Sequence, residues 1–171
     1  MLERKFSSQF RKEAVAVCDG NMVLLQDAPM SGKKPFDAFY LLLGMFVAIE
    51  FKVANGGTFP YSAVKPHQIT SLRDVTAENH IAQVVVLFTK FKMVACIDYV
   101  AFSNHLHLPR HHKTSFSKDE LVELSGDDRT GVTVMFREKV PHMDGTTKTA
   151  WNVAPWVKRL GMLHNDNLLP F

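Results

Sequence analysis

Cysteine is scarce in this sequence, and its two residues form no metal-binding pattern. Cys18 and Cys96 are the only cysteines among 171 residues, and each lies in an apolar segment. Because no Cys-x-x-Cys pair occurs, a zinc ribbon is not predicted. Free cysteine is among the most frequently buried residue types, so both are expected to be buried, reduced thiols.

Long apolar runs and a large charge excess are also missing. The longest apolar run, 39–49, is too short to span a bilayer and is interrupted by Gly44, so no membrane segment is expected. The first residues lack the apolar stretch of a signal peptide, which makes a cytoplasmic protein the default expectation. The formal net charge of +3 suits a nucleic-acid partner without demonstrating one.

The composition that remains is that of an ordinary folded domain. Apolar residues make up 46% of the chain and charged residues 22%, which argues against a disordered or fibrous protein. A chain of 171 residues can fill one core but is short for two. We therefore expect one domain over 1–171, with a core over about 6–100 and a C-terminal extension over about 101–171.

The hydrophobic pattern predicts an α/β (α+β mixed) fold, in which a central mixed sheet is flanked by helices. Phe6, Phe10, Ala14 and Val17 fall at helical spacing, and two nearly continuous apolar runs joined at Gly44 are typical of buried central strands. The predicted order is α-β-β-β-α-β-β. Its members are a helix over about 8–18, strands over 21–27, 36–42 and 44–53, a helix over 67–78, and strands over 82–91 and 92–100.

The pattern weakens after Val100. A helix is predicted from Ser117 to Leu124, a strand over 131–140, and a short helix within 149–161 that Pro155 would break. The His-rich segment 105–112 has no regular pattern.

Three charged residues stand out within the apolar runs. Glu50 and Lys52 are two residues apart, so on a strand they point to the same face, and a hairpin can bring Asp37 beside them. Desolvating such charges is costly without a compensating partner. Mg²⁺ is a natural one, with the backbone carbonyl of Phe51 as a further ligand. The alternative is a buried Glu–Lys ion pair with Asp37 as a turn residue.

This arrangement suits phosphodiester hydrolysis. A bound cation lowers the pKa of water and stabilises charge on a scissile phosphate. Lys52 would orient or help deprotonate the attacking water, or neutralise the transition state.

The same stretch resembles the PD-(D/E)XK nucleases, and within them the RecU-like Holliday junction resolvases. The resemblance covers roughly 34–99 and rests on an ordered set of motifs. These are Pro35-Phe36-Asp37, Gly44-Met45-Phe46, Ile49-Glu50-Phe51-Lys52, Thr58-Phe59-Pro60 and Lys65-Pro66-His67-Gln68-Ile69. It implies a restriction-endonuclease-like core and a Mg²⁺-dependent enzyme in which Mn²⁺ can substitute.

Residue by residue, the resemblance implies metal ligation by Asp37 and Glu50, catalysis by Lys52 and an accessory polar role for Gln68. Gln68 would hold the attacking water or a phosphate, and the alternative is an exposed residue at a helix start. Glu13 on the first helix is a weaker candidate for an extra acidic residue near the metal. A solvated helix face is its alternative.

Several basic residues are candidates for contacts to DNA phosphates, which supply most nonspecific affinity. The alternative for the lysine loop and for the His-rich segment is an ordinary solvated surface, and the histidine spacing fits no familiar zinc site. Beside Trp151 and Trp156, which are expected in the core or a dimer interface, Lys158 and Arg159 could also reach DNA. The candidates are Lys33, Lys34, Lys65, His67, Arg110 and Lys113.

The leading hypothesis is a homodimeric enzyme that nicks branched DNA, a four-way junction, symmetrically, in a bacterial cell or a phage-infected host. Two cuts in opposite strands call for two active sites related by a twofold axis. One alternative keeps the chemistry and changes the substrate to a flap, an end or a duplex sequence. Another is a catalytically inactive nucleic-acid-binding module.

Overall fold

A computed structural model of the chain describes residues 2–17, 21–25, 34–42, 44–107, 113–141 and 145–168. Within these ranges the helices are α1 (Leu2–Val17), α2 (Pro66–Ala77), α3 (Tyr99–His107), α4 (Lys118–Leu124) and α5 (Ala154–Leu168). The strands are β1 (Asn21–Leu24), β2 (Ala38–Leu42), β3 (Met45–Ala54), β4 (Thr58–Pro60), β5 (Ile81–Phe88), β6 (Met93–Asp98), β7 (Ser115–Ser117), β8 (Val132–Pro141) and β9 (Thr147–Trp151).

The main sheet has seven strands in the order β1-β2-β3-β5-β6-β8-β9. The β3–β5 pair is parallel and the other pairs are antiparallel, so the sheet is mixed, as predicted. The connection from β3 to β5 contains α2, which the parallel pairing requires. Strands β4 and β7 form a separate two-stranded sheet.

Helices cover both faces of β3, which is why its sequence is almost continuously apolar. On one face, Phe6 and Phe10 of α1 and Trp156 of α5 pack with Phe51 in one cluster of buried side chains. On the other face, a second cluster contains Leu72 of α2, Phe102 of α3 and Val84 of β5. A strand buried on both faces has no solvated side on which polar residues could alternate.

The seven predicted elements occur in the predicted order, but β4, β7 and β9 were not predicted, and three further details differ. Helix α1 begins at Leu2, earlier than predicted. Residues from Tyr99 onward form α3, because Tyr99 and Phe102 turn into the second cluster instead of extending β6. The prediction of a helix broken by Pro155 is wrong, since Pro155 lies in the first turn of α5, where its missing N–H leaves no helical hydrogen bond unmade.

The chain after residue 100 contributes to the same sheet. β8 pairs with β6, and β9 pairs with β8. Trp151 and Trp156 are buried in the core, as expected, and Cys96 is a buried free thiol. Cys18 lies outside the described residues. None of the helices in the described ranges is long and apolar enough to cross a membrane.

A chain of polar contacts fastens α5 to the sheet. Trp156 Nε1 donates to Gln83 Oε1 at 2.6 Å, and Gln83 Nε2 donates to Asp98 Oδ1 at 2.6 Å. Arg159 donates to Asp98 Oδ2 from Nε at 3.3 Å and from a terminal nitrogen at 3.2 Å. Burial raises the pKa of Asp98, and the hydrogen bond from Gln83 and the charge of Arg159 oppose this shift. The guanidinium of Arg159 therefore serves as the ion-pair partner of the buried Asp98 carboxylate.

Replacing Arg159 with methionine is expected to destabilise the fold by about 3 kcal/mol, because the buried Asp98 carboxylate loses its cation. Urea unfolding would measure this change. The exposed neighbour Lys158 offers the matched control Lys158→Met, expected within about 0.5 kcal/mol of wild type. Equal unfolding midpoints for the two variants would contradict a structural role for the ion pair.

Candidate active site

The structure brings Asp37, Glu50 and Lys52 together at one end of the main sheet. Glu50 and Lys52 lie on β3 with one residue between them and share a face of the strand. Asp37 directly precedes β2, whose first residue Ala38 is paired with Ile49. This register places Asp37 beside Glu50, so the convergence expected of the hairpin is what the structure shows.

Asp37 is held by both its backbone and its side chain. Its N–H donates to the carbonyl of Ile49 at 3.0 Å, and its own carbonyl accepts from Leu25 N at 2.8 Å. The last β3 residue paired with β2 is Ile49, opposite Ala38. Two residues further along β3, the N–H of Phe51 donates to Asp37 Oδ2 at 2.8 Å. Oδ1 forms an ion pair of 2.7 Å with Lys34 Nζ. The carboxylate position is thus set by two strands and a lysine.

Glu50 is completely buried, with 0% of its surface exposed. Its Oε1 accepts from Lys52 Nζ at 2.7 Å and from the Gln68 amide nitrogen. Among the described residues, Oε2 has no hydrogen-bond partner. A buried carboxylate oxygen without a donor is costly, so this atom is suited to a ligand that brings positive charge.

The electrostatics of Glu50 support the same conclusion. Burial, followed by the neighbouring negative charge of Asp37, raises the pKa of Glu50 to about 7. The Lys52 ammonium lowers it, but by less than the other two effects raise it. Lys52 therefore does not compensate for the desolvation of Glu50 and for the nearby charge of Asp37.

Gln68 connects this centre to the start of α2. Pro66 occupies the first turn, and Gln68 Oε1 accepts from the N–H of Lys65 at 2.9 Å, which caps the helix. With its carbonyl end held there, the amide directs its NH₂ group toward Glu50. Gln68 is 8% exposed, so the alternative interpretation of Gln68 as an exposed residue at a helix start is wrong.

These side chains open into a cleft of about 770 Å³. Its charged lining comprises four cations and three carboxylates, and the cations are Arg4, Lys34, Lys52 and Lys65. His67 and Pro66 at the start of α2 complete one wall. The ring of Phe51 packs against Phe6 and Phe10 on the opposite face of the sheet, so its backbone is the part that borders the cleft.

Glu13 is not brought to this cleft. Its carboxylate is buried on the other side of α1, where it accepts from Trp151 N at 2.9 Å and from Gln9 at 2.9 Å. Arg137 lies 3.5 Å away as an ion-pair partner. Glu13 thus has neither of the roles considered for it in the sequence, metal neighbour or solvated residue, because α1 turns it into the core beside β9.

The acidic residue that α1 presents to the cleft is Glu3, together with Arg4 and Ser7. None of these three residues was predicted for the site, because the predicted helix began only at about residue 8. The spacing of Phe6 and Phe10 was the available signal: extended backwards, it places 3, 4 and 7 on a neighbouring face of the same helix.

The predicted DNA contacts are divided between several places. Lys34, Lys65 and His67 line the cleft. Lys113 instead forms a 3.0 Å ion pair with Glu120 of α4. Lys33 and Arg110 lie outside the described residues.

The donor set suits a hard divalent cation better than zinc. Asp37, Glu50 and the Phe51 backbone offer oxygen ligands, which Mg²⁺ and Mn²⁺ prefer. Within the described ranges, no group of three or more His, Cys, Asp or Glu side chains is placed to hold a metal. A cation at Asp37 and Glu50 would therefore keep positions for water and phosphate.

A comparison with protein-family models supports the resemblance noted in the sequence. The model described as RecU, Recombination protein U, matches residues 18–136, more than half of the chain. The chain belongs to the RecU family. The matched range contains Asp37, Glu50, Lys52 and Gln68, whereas α1 and α5 fall outside it.

Among solved structures, the RecU-family chain is similar to Hjc from Archaeoglobus fulgidus, described as a Holliday junction resolvase from an archaeal hyperthermophile. The identity is 15%, the TM-score is 0.45, and the alignment covers 69% of this chain and 87% of Hjc. A likeness at this level does not by itself establish a shared activity. No curated protein matches the chain.

Without metal, the stability of the wild-type protein is expected to fall as the pH rises from about 5 to about 8. The unfolded Glu50 carboxyl titrates near 4.5 and the folded one near 7, so the folded state holds a proton that the unfolded state has already lost. This contribution is complete below the lower value and lost above the higher one, and it is on the order of 3 kcal/mol.

Urea unfolding in EDTA across this pH range would measure the effect, with Glu50→Gln as the comparison. The variant cannot titrate at this position, so its stability profile is expected to be flatter. Parallel profiles for the two proteins would show that Glu50 ionises normally. Added Mg²⁺ should reduce the difference in slope by favouring the ionised wild-type carboxylate.

Proposed function

We propose that this RecU-family protein is a Mg²⁺-dependent DNA endonuclease that resolves four-way junctions by paired phosphodiester hydrolysis. The observation that carries the proposal is the buried Glu50 Oε2, which has no donor within the described part of the chain and lies beside Asp37 in a cleft lined with cations. A purely structural Glu50–Lys52 ion pair would account for the contact at Oε1, but it would leave the desolvation of Oε2 uncompensated.

Asp37, Glu50 and the Phe51 carbonyl would hold the cation, whose chemistry is to acidify bound water and to stabilise charge on the scissile phosphate. The chain fits this role because both carboxylates are positioned by contacts that do not depend on the cation. Asp37 is fixed by Phe51 N and Glu50 by Lys52 and Gln68. Pre-positioned ligands reduce the reorganisation needed when the substrate arrives.

Lys52 and Gln68 would act on the substrate side of Glu50. Lys52 Nζ has three donors and uses one on Glu50 Oε1, so it can also donate to a water or a phosphate oxygen in the cleft. Gln68 is a positioning residue for Glu50, and the second N–H of its amide is available for the same purpose.

The remaining cations of the cleft would hold the DNA backbone. Arg4, Lys34 and Lys65 come from three separate segments and surround the carboxylates. Once a divalent cation neutralises the acidic centre, the field in the cleft is strongly positive, which attracts phosphates at long range. Symmetric cleavage of a junction also requires two such clefts, so the proposed enzyme is a homodimer. Its proposed location is the cytoplasm.

Cleavage of a labelled four-way junction with Mg²⁺ tests this proposal beside linear duplex and flap DNA. We expect paired symmetric nicks in the junction alone. Asp37→Asn should reduce the rate at least about a hundredfold, because it removes the charge but keeps an acceptor for Phe51 N. The matched control is Asp74→Asn at an exposed position of α2, which should cleave like wild type.

Each other outcome of that assay identifies a competing function. Equal cutting of all three substrates would retain the nuclease and remove the junction specificity. Tight binding without cutting in Mg²⁺ or Mn²⁺ would favour a nucleic-acid-binding module and would contradict the catalytic roles of Glu50 and Lys52.

The two glutamates of α1 provide a further test, because we propose that only Glu3 supports the metal centre. Glu3→Gln should raise the Mg²⁺ concentration for half-maximal cleavage by about tenfold. Glu13→Gln should leave that concentration unchanged and lower the stability by about 1 to 2 kcal/mol, since it weakens the contacts to Trp151 and Arg137. Identical Mg²⁺ dependence for Glu3→Gln and wild type would remove Glu3 from the centre.

A further inference from the structure

The outer face of α1 carries a stripe of positive charge that the proposed hydrolysis does not use. Lys5, Ser8 and Lys12 follow one another at helical spacing, and Arg11 lies next to them, away from the buried side of the helix. The three cationic side chains are exposed. Across the ranges that the structure describes, none of the three is paired with an acidic side chain.

This placement of charge works against the helix itself. Lys5 lies in the first turn beside Arg4, where the helix dipole is positive, and the last turn contains no basic residue. Cations are favoured at the opposite end. The helix is held instead by Phe6 and Phe10, which pack on Phe51 with ring centroids 5.3 and 5.6 Å apart. An external anion along the stripe would offset the unfavourable charge.

The stripe continues from the cleft. Arg4 lines both the cleft and an adjoining groove of about 680 Å³. Apart from Arg4, the described residues that line the groove are Lys5, Ser8, Gln9 and Lys12, and none of these is acidic. Cations interspersed with Ser and Gln donors are the residue types that contact the phosphates and sugars of DNA.

The dimensions also fit duplex DNA. Eight residues of helix separate Arg4 from Lys12, which corresponds to roughly 12 Å. The major groove of B-DNA is about 12 Å wide, so the two ends of the stripe can meet phosphates on opposite sides of it. Since Phe6 and Phe10 fix the helix on the sheet, the spacing of these charges is set before DNA binds.

We propose that Lys5, Arg11 and Lys12 form a second DNA-backbone contact, which binds the duplex arm that leaves the cleft. The inference rests on the proposed function for the presence of DNA in the cleft. The contact is independent of sequence and of the metal. It also lies outside the range matched by the family model, so it is a feature of this chain's own first helix.

The test compares Lys5→Gln/Arg11→Gln/Lys12→Gln with a control of equal charge change, Lys90→Gln/Lys139→Gln/Lys158→Gln, at exposed positions elsewhere. Binding of a four-way junction is measured in EDTA across a range of salt concentrations. The α1 variant should lower the slope of log K against log salt by roughly 2 to 3, since each lost phosphate contact contributes about 0.9. Its Kd at about 0.1 M salt should rise at least about tenfold.

The variant is expected to fold, because all three positions are exposed and removing Lys5 from the first turn relieves an unfavourable charge, so its Tm should be close to that of wild type. At saturating DNA with Mg²⁺, the cleavage rate should match wild type, which separates this contact from the catalytic centre. If wild type binds junction DNA without cutting it while the slope still depends on α1, the proposed function fails and this inference stands.

Three results would overturn the inference. The first is an unchanged slope in the α1 variant, and the second is an equal loss in the control, which would reduce the effect to net charge. The third is binding to phosphatidylserine vesicles that exceeds DNA binding and is lost in the variant, which would assign the face to a membrane surface.

Discussion

Burial of the Glu50 carboxylate in the central strand is the constraint on which the rest of the cleft depends. Its neighbours along β3 are Ile49 and Phe51, and its partner on β5 is Val84, so the strand itself offers no solvation. Lys52 and Gln68 supply donors to one oxygen only. Holding a second oxygen that has no donor among the described residues is costly, and a cation bound there would offset this cost. Under the proposed function, the affinity of the site for metal and the local instability of the metal-free protein would therefore have the same origin.

Two short strands with little stability of their own, β4 and β7, help to position Gln68 beside Glu50. β4 and β7 form a two-stranded sheet in which Phe59 pairs with Phe116, and both rings are buried. This packing fixes the segment that leads into α2, so Pro66 can start the helix and Gln68 can cap it. The side chain of Gln68 then serves two purposes at once, since one end closes the helix and the other orients the carboxylate. A substitution of Gln68 that removes either contact would therefore also disturb the other.

The order of apolar segments was sufficient to predict the mixed sheet. The two-residue spacing of Glu50 and Lys52, together with the hairpin, was sufficient to predict their convergence with Asp37. The choice between Glu3 and Glu13 could not be made in this way, because both fit an amphipathic helix and only its packing against Trp151 decides which one is buried. Helix α3 was missed because the apolar residues Tyr99 and Val100 follow β6 directly and were included in the predicted strand, and the pattern weakens after Val100. β9 was missed because Thr147, Lys148 and Thr149 are exposed and its pairing with β8 is long-range.

The contact between Glu13 and Trp151 joins residues 138 positions apart. Because α1 forms one wall of the cleft, a residue near the end of the chain helps to fix a wall built from its beginning. During synthesis, this part of the cleft lacks its final polar anchor until β9 has left the ribosome. A prematurely terminated chain would carry the carboxylates and the lysine but not the anchored wall. The order of synthesis thus delays assembly of the complete cleft until β9 has been made.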